Sequence, residues 1–437
     1  MQRKFSSIVL ICFAVFGFST CSPSPNATLI SPSLVPISTE TVTTGSQVSI
    51  SPPVTLAYTA SPSCVSRIEQ IPKTLAVLGK VVLSGAPYYS GAPLNAPSYL
   101  LDINSGEKIA LPQNKNRIIV DWSFSMSPNR ELLEYAEVDP NQSEATSETL
   151  HIVSGDGVEH KTITLDIDHR GSIWIDNNNL LIENLRKVWS APQTRATLFL
   201  VNPFTGESSE LLNEYPNQWN GDSLIWEFNL SRVIYSPDLT RVIYPTFVEP
   251  NRVVRMVDVA TDDILIDVPT TDYGKFPLWA PDGRRIAFVT QINRQASQST
   301  IQDEIFILGK DGDLVQITHL SQANNYSYIT GMSWSADSQF SAFFVNNKDW
   351  GKGRNGMHLS IVDTYTGEQR EYCEISDSNG LVYVPWGSPI WSPDGEYILV
   401  NMEDPTNEQH ILVILIEVLT GKTFFVTENI RAVGWLK

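Results

Sequence analysis

Apolar residues along this chain come in short runs, and each run directly follows a polar turn. Such runs lie at 241–244, 285–289, 340–344 and 397–400. They are rich in β-branched and aromatic residues and are too short for helices, so they predict β-strands. No apolar run reaches the roughly 18–20 residues that a helix needs to span a bilayer. The pattern therefore argues against a helical integral membrane protein.

The turn in front of these runs is itself repeated. Ser-Pro-Asp-Gly suits a type I turn, because Pro presets φ at the second position and Gly is favoured at the fourth. The copies are Tyr235-Ser-Pro-Asp238, Trp279-Ala-Pro-Asp-Gly283, Trp334-Ser-Ala-Asp337 and Trp391-Ser-Pro-Asp-Gly395, with weaker copies at Met126-Ser-Pro-Asn129 and Trp174-Ile-Asp-Asn177. We expect the repeated tryptophans, together with Trp435 near the C-terminus, to be core residues at the ends of inner strands.

A second turn marker recurs with a spacing of 49 to 56 residues. It has the form Asp-x-x-Thr-Gly, as in Asp363-Thr-Tyr-Thr-Gly367, and its glycines are at 106, 157, 206, 312, 367 and 421. One copy has Asp262 in place of the glycine. A hairpin turn needs a positive φ at this position, which Gly adopts freely and Asp tolerates.

Two turns and four strands in a unit of about 50 residues predict a β-propeller. Seven markers predict seven blades. The first unit, which starts near Leu75, lacks the strand that precedes the turn motif, and residues 430–437 at the C-terminus supply an unpaired strand. We therefore expect an all-β, seven-bladed β-propeller over residues 64–437, closed by the C-terminal strand, which leaves no open sheet edge in the ring.

The units around Trp279, Trp334 and Trp391 resemble the repeats of TolB-like propellers, which are also similar to the WD-repeat group. The resemblance covers about residues 75 to 437. It departs from TolB in one respect, because TolB has an α/β domain before a six-bladed propeller, whereas here a segment rich in Ser, Thr and Pro stands in that place. The resemblance implies a propeller scaffold without fixing a partner, since a fold of this kind has many uses.

The N-terminal residues have the pattern of a targeting segment. Arg3 and Lys4 precede an apolar run over 8–18 that ends near Cys21, which is typical of a secretory signal peptide. A cysteine at the cleavage point resembles a bacterial lipoprotein signal. We predict a signal peptide over 1–20, lipidation at Cys21, and a disordered tether over 21–63, because 24 of residues 22–63 are Ser, Thr or Pro and such a segment buries too little apolar surface to fold.

The net charge and the cysteines limit the possible partners and the cellular location. The formal net charge of −18 disfavours nucleic-acid binding, because an acidic protein repels phosphate backbones. We expect an extracytoplasmic monomer, attached to a bacterial membrane through the lipid anchor or secreted if it is not lipidated. Cys64 and Cys373 are left after the signal and the anchor, and they could form a disulfide in an oxidising compartment.

The sequence offers no arrangement of residues that points to a known catalytic or metal site. No Gly-x-Ser-x-Gly elbow is present, and the six histidines lack metal-ligand spacing,. We therefore expect no catalysis, no metal and no cofactor.

Long irregular segments alternate with the short repeated turns, and they should lie together on the opposite face of the propeller. The predicted loops are 84–97, 136–148, 183–196, 213–223, 291–303, 321–329, 346–357 and 376–389. They carry aromatic residues that the repeat does not require, as interaction surfaces tend to do. The predicted binding face consists of Tyr88, Tyr89, Trp189, Trp219, Tyr326, Tyr328, Trp350, Arg354, Tyr383 and Trp386.

These observations favour a non-catalytic propeller that binds an envelope or extracellular protein, peptide or glycan through this face. One alternative is a glycan-active hydrolase or lyase that uses loop carboxylates near the central channel, with Asp139, Glu183, Glu403 and Asp404 as candidates. Another alternative is an architectural spacer without a specific ligand.

Overall fold

The structure is a computed structural model. It describes residues 65–85, 97–114, 117–119, 123–139, 148–165, 169–185, 196–211, 234–248, 251–270, 277–291, 302–323, 327–346, 357–376, 382 and 384–437. All of these residues belong to a compact unit that runs from Pro53 to Lys437. None of the helical residues in these ranges forms a helix long and apolar enough to cross a membrane. The predicted signal peptide, Cys21 and the tether lie outside the described residues and stay predictions.

Short strands make up nearly all of the regular structure, with one short helix, α1 (Leu320–Ala323). The strands are β1 (Val65–Gln70), β2 (Lys80–Ser84), β3 (Tyr99–Leu101), β4 (Lys108–Ala110), β5 (Ile118–Ile119), β6 (Ser125–Met126), β7 (Leu132–Val138), β8 (Glu148–Ser154), β9 (Glu159–Leu165), β10 (His169–Trp174), β11 (Leu180–Leu185), β12 (Ala196–Val201), β13 (Ser208–Leu211), β14 (Ile234–Tyr235), β15 (Arg241–Val248), β16 (Asn251–Asp258), β17 (Ile264–Thr270), β18 (Leu278–Trp279), β19 (Arg285–Gln291), β20 (Asp303–Gly309), β21 (Leu314–Gln316), β22 (Tyr328–Trp334), β23 (Phe340–Asn346), β24 (Met357–Asp363), β25 (Gln369–Glu371), β26 (Glu374–Ser376), β27 (Val384–Trp391), β28 (Tyr397–Asp404), β29 (Asn407–Glu417), β30 (Thr423–Glu428) and β31 (Arg431–Leu436).

The described strands form seven sheets, which we call A to G in chain order. Sheet A contains β31, β2, β3 and β4, sheet B contains β5 to β9, and sheets C to F contain β10–β13, β14–β17, β18–β21 and β22–β25. Sheet G contains β27 to β30, with β1 and β26 added at its outer edge. In each sheet the strand next to the propeller axis comes first in this order, and we call it the inner strand.

The predicted all-β propeller is confirmed, but its regularity was overestimated. Six sheets are continuous paths of strands, whereas in sheet B the inner position is divided between β5 and β6, which both pair with β7. Each of these two pieces is only two residues long. The described strands therefore give six continuous blades, and the predicted count of seven blades is wrong because the inner strand of sheet B is not continuous. Sheet G also departs from the predicted four strands.

The C-terminal strand completes sheet A, as predicted. β31 is its inner strand and pairs antiparallel with β2, with Val81 opposite Trp435. The indole Nε1 of Trp435 donates a hydrogen bond to the carbonyl of Leu78 at 2.9 Å. Trp435 is fully buried. The last strand of the chain is thus held in the first sheet by main-chain pairing, by a side-chain hydrogen bond and by burial.

The core lies between the sheets, with one apolar cluster at each contact between neighbours around the ring. The cluster between sheets G and A includes Leu399, Leu415 and Trp435, and the one between sheets A and B includes Leu100, Leu133 and Leu436. Further clusters join sheet B to C, C to D, D to E, E to F and F to G. The clusters among the described residues therefore follow one another around a closed ring.

The two repeated turns are built as the sequence predicts. In the first turn the backbone N–H of Gly395 donates to the carbonyl of Ser392 at 3.1 Å, and the hydroxyl of Ser392 donates to Asp394 at 2.5 Å. In the second turn the glycine has a positive φ, and Asp262 adopts 60° in its copy. Both turns lie at the same end of antiparallel sheets, which we call the turn face.

The opposite end of the sheets is the long-loop face, and its segments are shorter than we predicted. β7 extends to Val138, β11 extends to Leu185, and β27 begins at Val384. The predicted loops 136–148, 183–196 and 376–389 are therefore wrong at these ends. Apolar residues continue these strands beyond the predicted ends. Polar residues between them hide the alternating pattern that would identify a strand.

The N-terminal strand of the described chain lies at the outer edge of sheet G. β1 runs parallel to β30 on one side and to β26 on the other. Cys373, directly before β26, is disulfide-bonded. Its predicted partner, Cys64, lies outside the described residues, but the next residue, Val65, is in register with Glu374. The strand pairing is therefore consistent with the predicted pair.

Candidate functional site

Only two members of the predicted binding face lie within the described part of the chain. They are Tyr328, the first residue of β22, and Trp386, the third residue of β27. Both are half-buried at the long-loop end of an inner strand. The other members, which stay predictions, are Tyr88, Tyr89, Trp189, Trp219, Tyr326, Trp350, Arg354 and Tyr383.

The inner strands of sheets F and G meet next to these aromatic residues. Gly331 of β22 and Gly387 of β27 both have positive φ angles, of 61° and 78°. A Cβ atom on Gly331 would lie 2.0 Å from the carbonyl oxygen of Gly387. Only a glycine at 331 permits this approach, because any side chain would collide with the backbone.

Arg431 lies against Trp386, a contact that the sequence did not predict. The guanidinium carbon is 4.8 Å from the centroid of the indole ring, within the range of a cation–π interaction. Arg431 begins β31 and is only 4% exposed. The arginine therefore supports one side of the half-buried ring and fixes its orientation at the mouth of the propeller.

Sheet G is clamped to the closing strand just beneath this pair. The side-chain amide of Asn401 donates to the carbonyl of Ala432 at 2.9 Å, and its oxygen accepts the N–H of Ala432 at 2.8 Å. Glu403 is two residues further along β28, so it shares the face of the strand that holds Asn401. Glu403 is 6% exposed.

A histidine between two carboxylates lies further out on the long-loop end of sheet G. His410 Nδ1 is 3.4 Å from Asp404 Oδ2, and His410 Nε2 is 3.2 Å from Glu428 Oε2. The strand pairing is irregular between Glu403, which is opposite Ile411, and Asp404, which is opposite Asn407, so His410 lies in the stretch of β29 between these two partners. The side chain of His410 is 29% exposed and that of Glu428 is 53% exposed, so a solute can reach the group.

The pKa of His410 is raised and the pKa of Asp404 is lowered. Hydrogen bonding to Glu428 raises the pKa of His410 more than burial lowers it, and Asp404 raises it further. Hydrogen bonds from Thr406 are the main reason that the pKa of Asp404 is lowered. Near neutral pH this arrangement favours an imidazolium between two carboxylates, which can donate a proton and recover it.

Three of the four carboxylates nominated from the sequence are strand residues and not members of long loops. Glu403 and Asp404 end β28 and are buried, Glu183 lies inside β11, and Asp139 directly follows β7. Of the four, Asp404 contacts a second titratable side chain of this cluster. No pattern in the sequence points to Glu428 or His410 as site residues, because the pairing of three strands brings them together.

A second buried network joins sheets A and B and has a different character. His151 Nε2 is 3.2 Å from Glu137 Oε2, and its Nδ1 contacts Glu159. Asn114 donates to Glu137 from its backbone and from its side chain, at 2.8 and 2.7 Å. His151 also stacks on Tyr135, with 5.1 Å between the ring centroids. The network holds the connection between two sheets, so its role is structural.

This network makes stability depend on pH. Burial alone would raise the pKa of Glu137, but hydrogen bonds from His151 and Asn114 lower it overall. Burial alone would lower the pKa of His151, but its two carboxylate partners raise it overall. The glutamate contribution is lost as the pH falls through its folded pKa, and the histidine contribution is lost as the pH rises through its folded pKa.

We expect His151→Gln to lower the free energy of unfolding most between the ordinary pKa values of 4.5 and 6.5. Loss of a buried charged partner costs about 3 kcal/mol, and the loss should shrink as the pH rises through the raised pKa of folded His151,. Urea unfolding across this range measures it. His160→Gln is the control, since His160 is exposed. An equal effect of His151→Gln at every pH would contradict the expectation.

Two other buried carboxylates are used to fix local structure. Glu304 accepts hydrogen bonds from Thr318, Leu320 and Ser321 at 2.6 to 3.0 Å, and so holds the start of α1. Asp303 accepts the N–H of Ile329 at 2.8 Å. Within the described ranges, no group of three His, Cys, Asp or Glu side chains is arranged to hold a metal ion.

Comparison with known proteins gives one curated relative and many distant folds. The chain is 33% identical over 147 residues to the uncharacterized peptidase YuxL of Bacillus subtilis, a stretch that makes up 33% of this chain and 19% of that protein. No protein-family model matches the chain.

Solved structures that are similar include TolB from Acinetobacter baumannii, at 14% identity and a TM-score of 0.38, with 76% of this chain and 78% of that chain covered. Another is oligogalacturonate lyase from Vibrio parahaemolyticus, at 12% identity and a TM-score of 0.48, with 75% and 83% covered. At these identities the likeness concerns the fold alone.

The expectation that the chain is not an enzyme is corrected by these findings. The curated relative is a peptidase, so a repeat of this kind occurs within an enzyme. The matched stretch is about a fifth of that protein.

Proposed function

We propose that the chain cleaves glycans by acid–base catalysis at the long-loop end of sheet G. The observation that carries the proposal is the imidazole of His410 between Asp404 and Glu428, at 3.4 and 3.2 Å. It is a solvent-accessible acid–base group with shifted pKa values, and such groups are candidates for catalytic sites.

The surroundings of this group support a polar polymer as the substrate. Sheet G places Trp386 at its inner strand and Glu428 at the end of β30, so ring and acid–base group lie on one end of one sheet. The indole is oriented by Arg431 and offers a flat surface to a sugar ring. A substrate lying across the end of the sheet would contact both.

The roles follow from exposure and charge. His410 donates its Nε2 proton to the glycosidic oxygen as the carbon–oxygen bond breaks. Glu428, the more exposed carboxylate, takes a proton either from an attacking water or from a sugar carbon next to a carboxyl group. Asp404 holds the other ring nitrogen and keeps the imidazole protonated. Attack by water gives hydrolysis with a new reducing end. Removal of the proton from the sugar carbon gives elimination with an unsaturated product.

Peptide hydrolysis is a second candidate, favoured by one observation. The curated relative that shares 33% identity with this chain is a peptidase. This support comes from the sequence comparison and not from the geometry of the His410 cluster.

Activity on a panel of neutral and uronate-containing polysaccharides tests the proposal, with reducing ends and unsaturated products measured separately. We expect His410→Gln to lower the turnover of the cleaved polysaccharide by a factor of about 10² to 10⁴. A fluorogenic peptide panel, run in parallel, tests the second candidate.

The matched control is His160→Gln, which alters an exposed histidine near the turn face and should leave turnover unchanged. Polysaccharide cleavage that survives in His410→Gln would overturn the proposed residues. Cleavage of peptides alone would replace the glycan proposal with the second candidate.

A further inference from the structure

Arg130 reaches across the turn-face ends of three neighbouring sheets. It belongs to the first turn of sheet B, between β6 and β7. Its Nη1 donates to the carbonyl of Trp391 at 3.0 Å and to that of Trp435 at 3.4 Å. These two residues lie at the ends of the inner strands of sheets G and A. The guanidinium is therefore next to the axis, where inner strands line the central channel of a propeller.

The backbone of Arg130 is in a conformation that costs free energy. Its φ is 58°, and the equivalent turn positions are also positive, with Leu239 at 57°, Ser338 at 64°, Gly283 at 68° and Gly395 at 76°. A residue with a side chain in this region is disfavoured by roughly 1–2 kcal/mol relative to glycine. Glycine occupies this position in two of these turns, so Arg130→Gly can relax the backbone without breaking the turn.

The charge of Arg130 has no acidic partner in the described part of the chain. Its only side-chain hydrogen bonds are to the two backbone carbonyls, and burial, with no neighbouring carboxylate, lowers its pKa. The terminal residue, Lys437, donates its backbone N–H to the carbonyl of Arg130 at 2.7 Å and turns its own carbonyl toward Gly155. A partly buried cation that meets only neutral acceptors is costly.

We propose that Arg130 forms an anion site at the turn-face end of the central channel, and that it binds a carboxylate. A guanidinium presents five N–H donors in a planar fork that matches a carboxylate, and one nitrogen is used by the two carbonyls. The overall charge of −18 does not prevent this, because charges more than about 8–10 Å away are largely screened at physiological salt.

A carboxylate at this position can come from two sources. One is a sugar acid, which suits the glycan proposal, and the other is the free C-terminus of a peptide. The anion site does not depend on the proposed cleavage, because binding is measured without turnover.

Calorimetric titration of the full chain with galacturonate tests the site, with galactose as the neutral counterpart. A pentapeptide with a free C-terminus and its amidated form make up the second arm. We expect galacturonate to bind, galactose not to bind, and Arg130→Gln to weaken binding by about tenfold or more, as loss of a charge-assisted hydrogen bond does. Binding of the free peptide alone would identify the C-terminus as the source.

Two further variants separate binding from folding. Arg130→Gly relaxes the backbone and should fold at least as stably as the natural chain, yet lose the anion. Arg284→Gln removes an exposed arginine from the turn of sheet E and should bind as the natural chain does. The proposal is overturned if neither probe binds the natural chain, or if Arg130→Gln and Arg130→Gly bind as tightly as it does.

Discussion

Deletion of residues 430–437 is expected to abolish cooperative folding, the largest effect that we anticipate. The deletion removes β31, the inner strand of sheet A, and leaves β2 without its antiparallel partner. It also takes away three buried apolar side chains, those of Ala432, Trp435 and Leu436. The clusters on both sides of sheet A, toward sheets G and B, lose members at once.

The size of the effect follows from its parts. Truncation of one large buried aromatic side chain costs about 3–5 kcal/mol, and a whole domain is stable by only about 5–15 kcal/mol. We expect Trp435→Ala alone to cost about 4 kcal/mol, including the hydrogen bond to Leu78. Loss of the complete strand should therefore cost more than the free energy of unfolding of the whole propeller.

Thermal unfolding followed by circular dichroism measures both variants against the natural chain. Leu419→Ala serves as the control, since Leu419 is 80% exposed and its truncation should leave the melting temperature nearly unchanged. A deletion variant that melts cooperatively at the natural temperature would show that the ring does not need β31.

The regular turns explain why the propeller could be predicted from the sequence. Each Ser-Pro-Asp-Gly or Asp-x-x-Thr-Gly segment fixes a chain reversal by local chemistry, so its structure depends on its own residues. Ser392 bonds Asp394 two residues away, and Gly421 has the positive φ that its turn needs. The unpaired C-terminal run was equally local evidence, because its strand pattern had no partner within its own unit.

The candidate site depends on contacts between distant parts of the chain, which the sequence pattern does not report. Arg431 meets Trp386 because β31 returns to the first sheet beside β27. His410 meets Glu428 through pairing of β29 with β30, and it meets Asp404 through pairing of β28 with β29. The sequence nominates Glu403 as a loop carboxylate, whereas it is buried within a strand.

The inner strand of sheet B was likewise not predictable from the sequence pattern. Its inner position is shared by β5 and β6, and neither piece has enough apolar positions to be recognised as a strand. The additional strand β1 in sheet G was missed because nothing in residues 65–70 specifies parallel pairing with a strand more than 350 residues later.

Replacement of Cys373 is expected to cost about 3–5 kcal/mol of the free energy of unfolding. The chain-entropy account of disulfides gives a large value for a long closed loop. If Cys64 is the partner, as we predicted, the loop spans nearly the whole described propeller. The bond would then constrain the unfolded chain and hold β1 at the edge of sheet G.

Reduction provides a matched control for Cys373→Ser. Reductant should lower the melting temperature of the natural chain to that of Cys373→Ser and should leave the variant unchanged. Cys64→Ser should behave in the same way if the two cysteines are partners. A natural chain that melts at one temperature with and without reductant would refute the stabilising role of the bond.

The disulfide of Cys373 also affects the candidate site, because β1 lies next to β30. This strand is held by main-chain pairing with β30 and β26, by hydrogen bonds of Thr423 to the carbonyl of Arg67 at 2.9 Å and to the hydroxyl of Ser66 at 3.2 Å, and by packing of Ile68 against the apolar cluster. β30 ends at Glu428, the exposed carboxylate beside His410. Without the disulfide, β1 should leave the sheet edge at a lower free energy than global unfolding requires. Hydrogen exchange should then be faster in residues 65–70 and 423–428 of Cys373→Ser than in the natural chain, while β31 remains protected. Equal exchange in the variant and the natural chain would show that the disulfide does not stabilise β1 and the neighbouring end of β30.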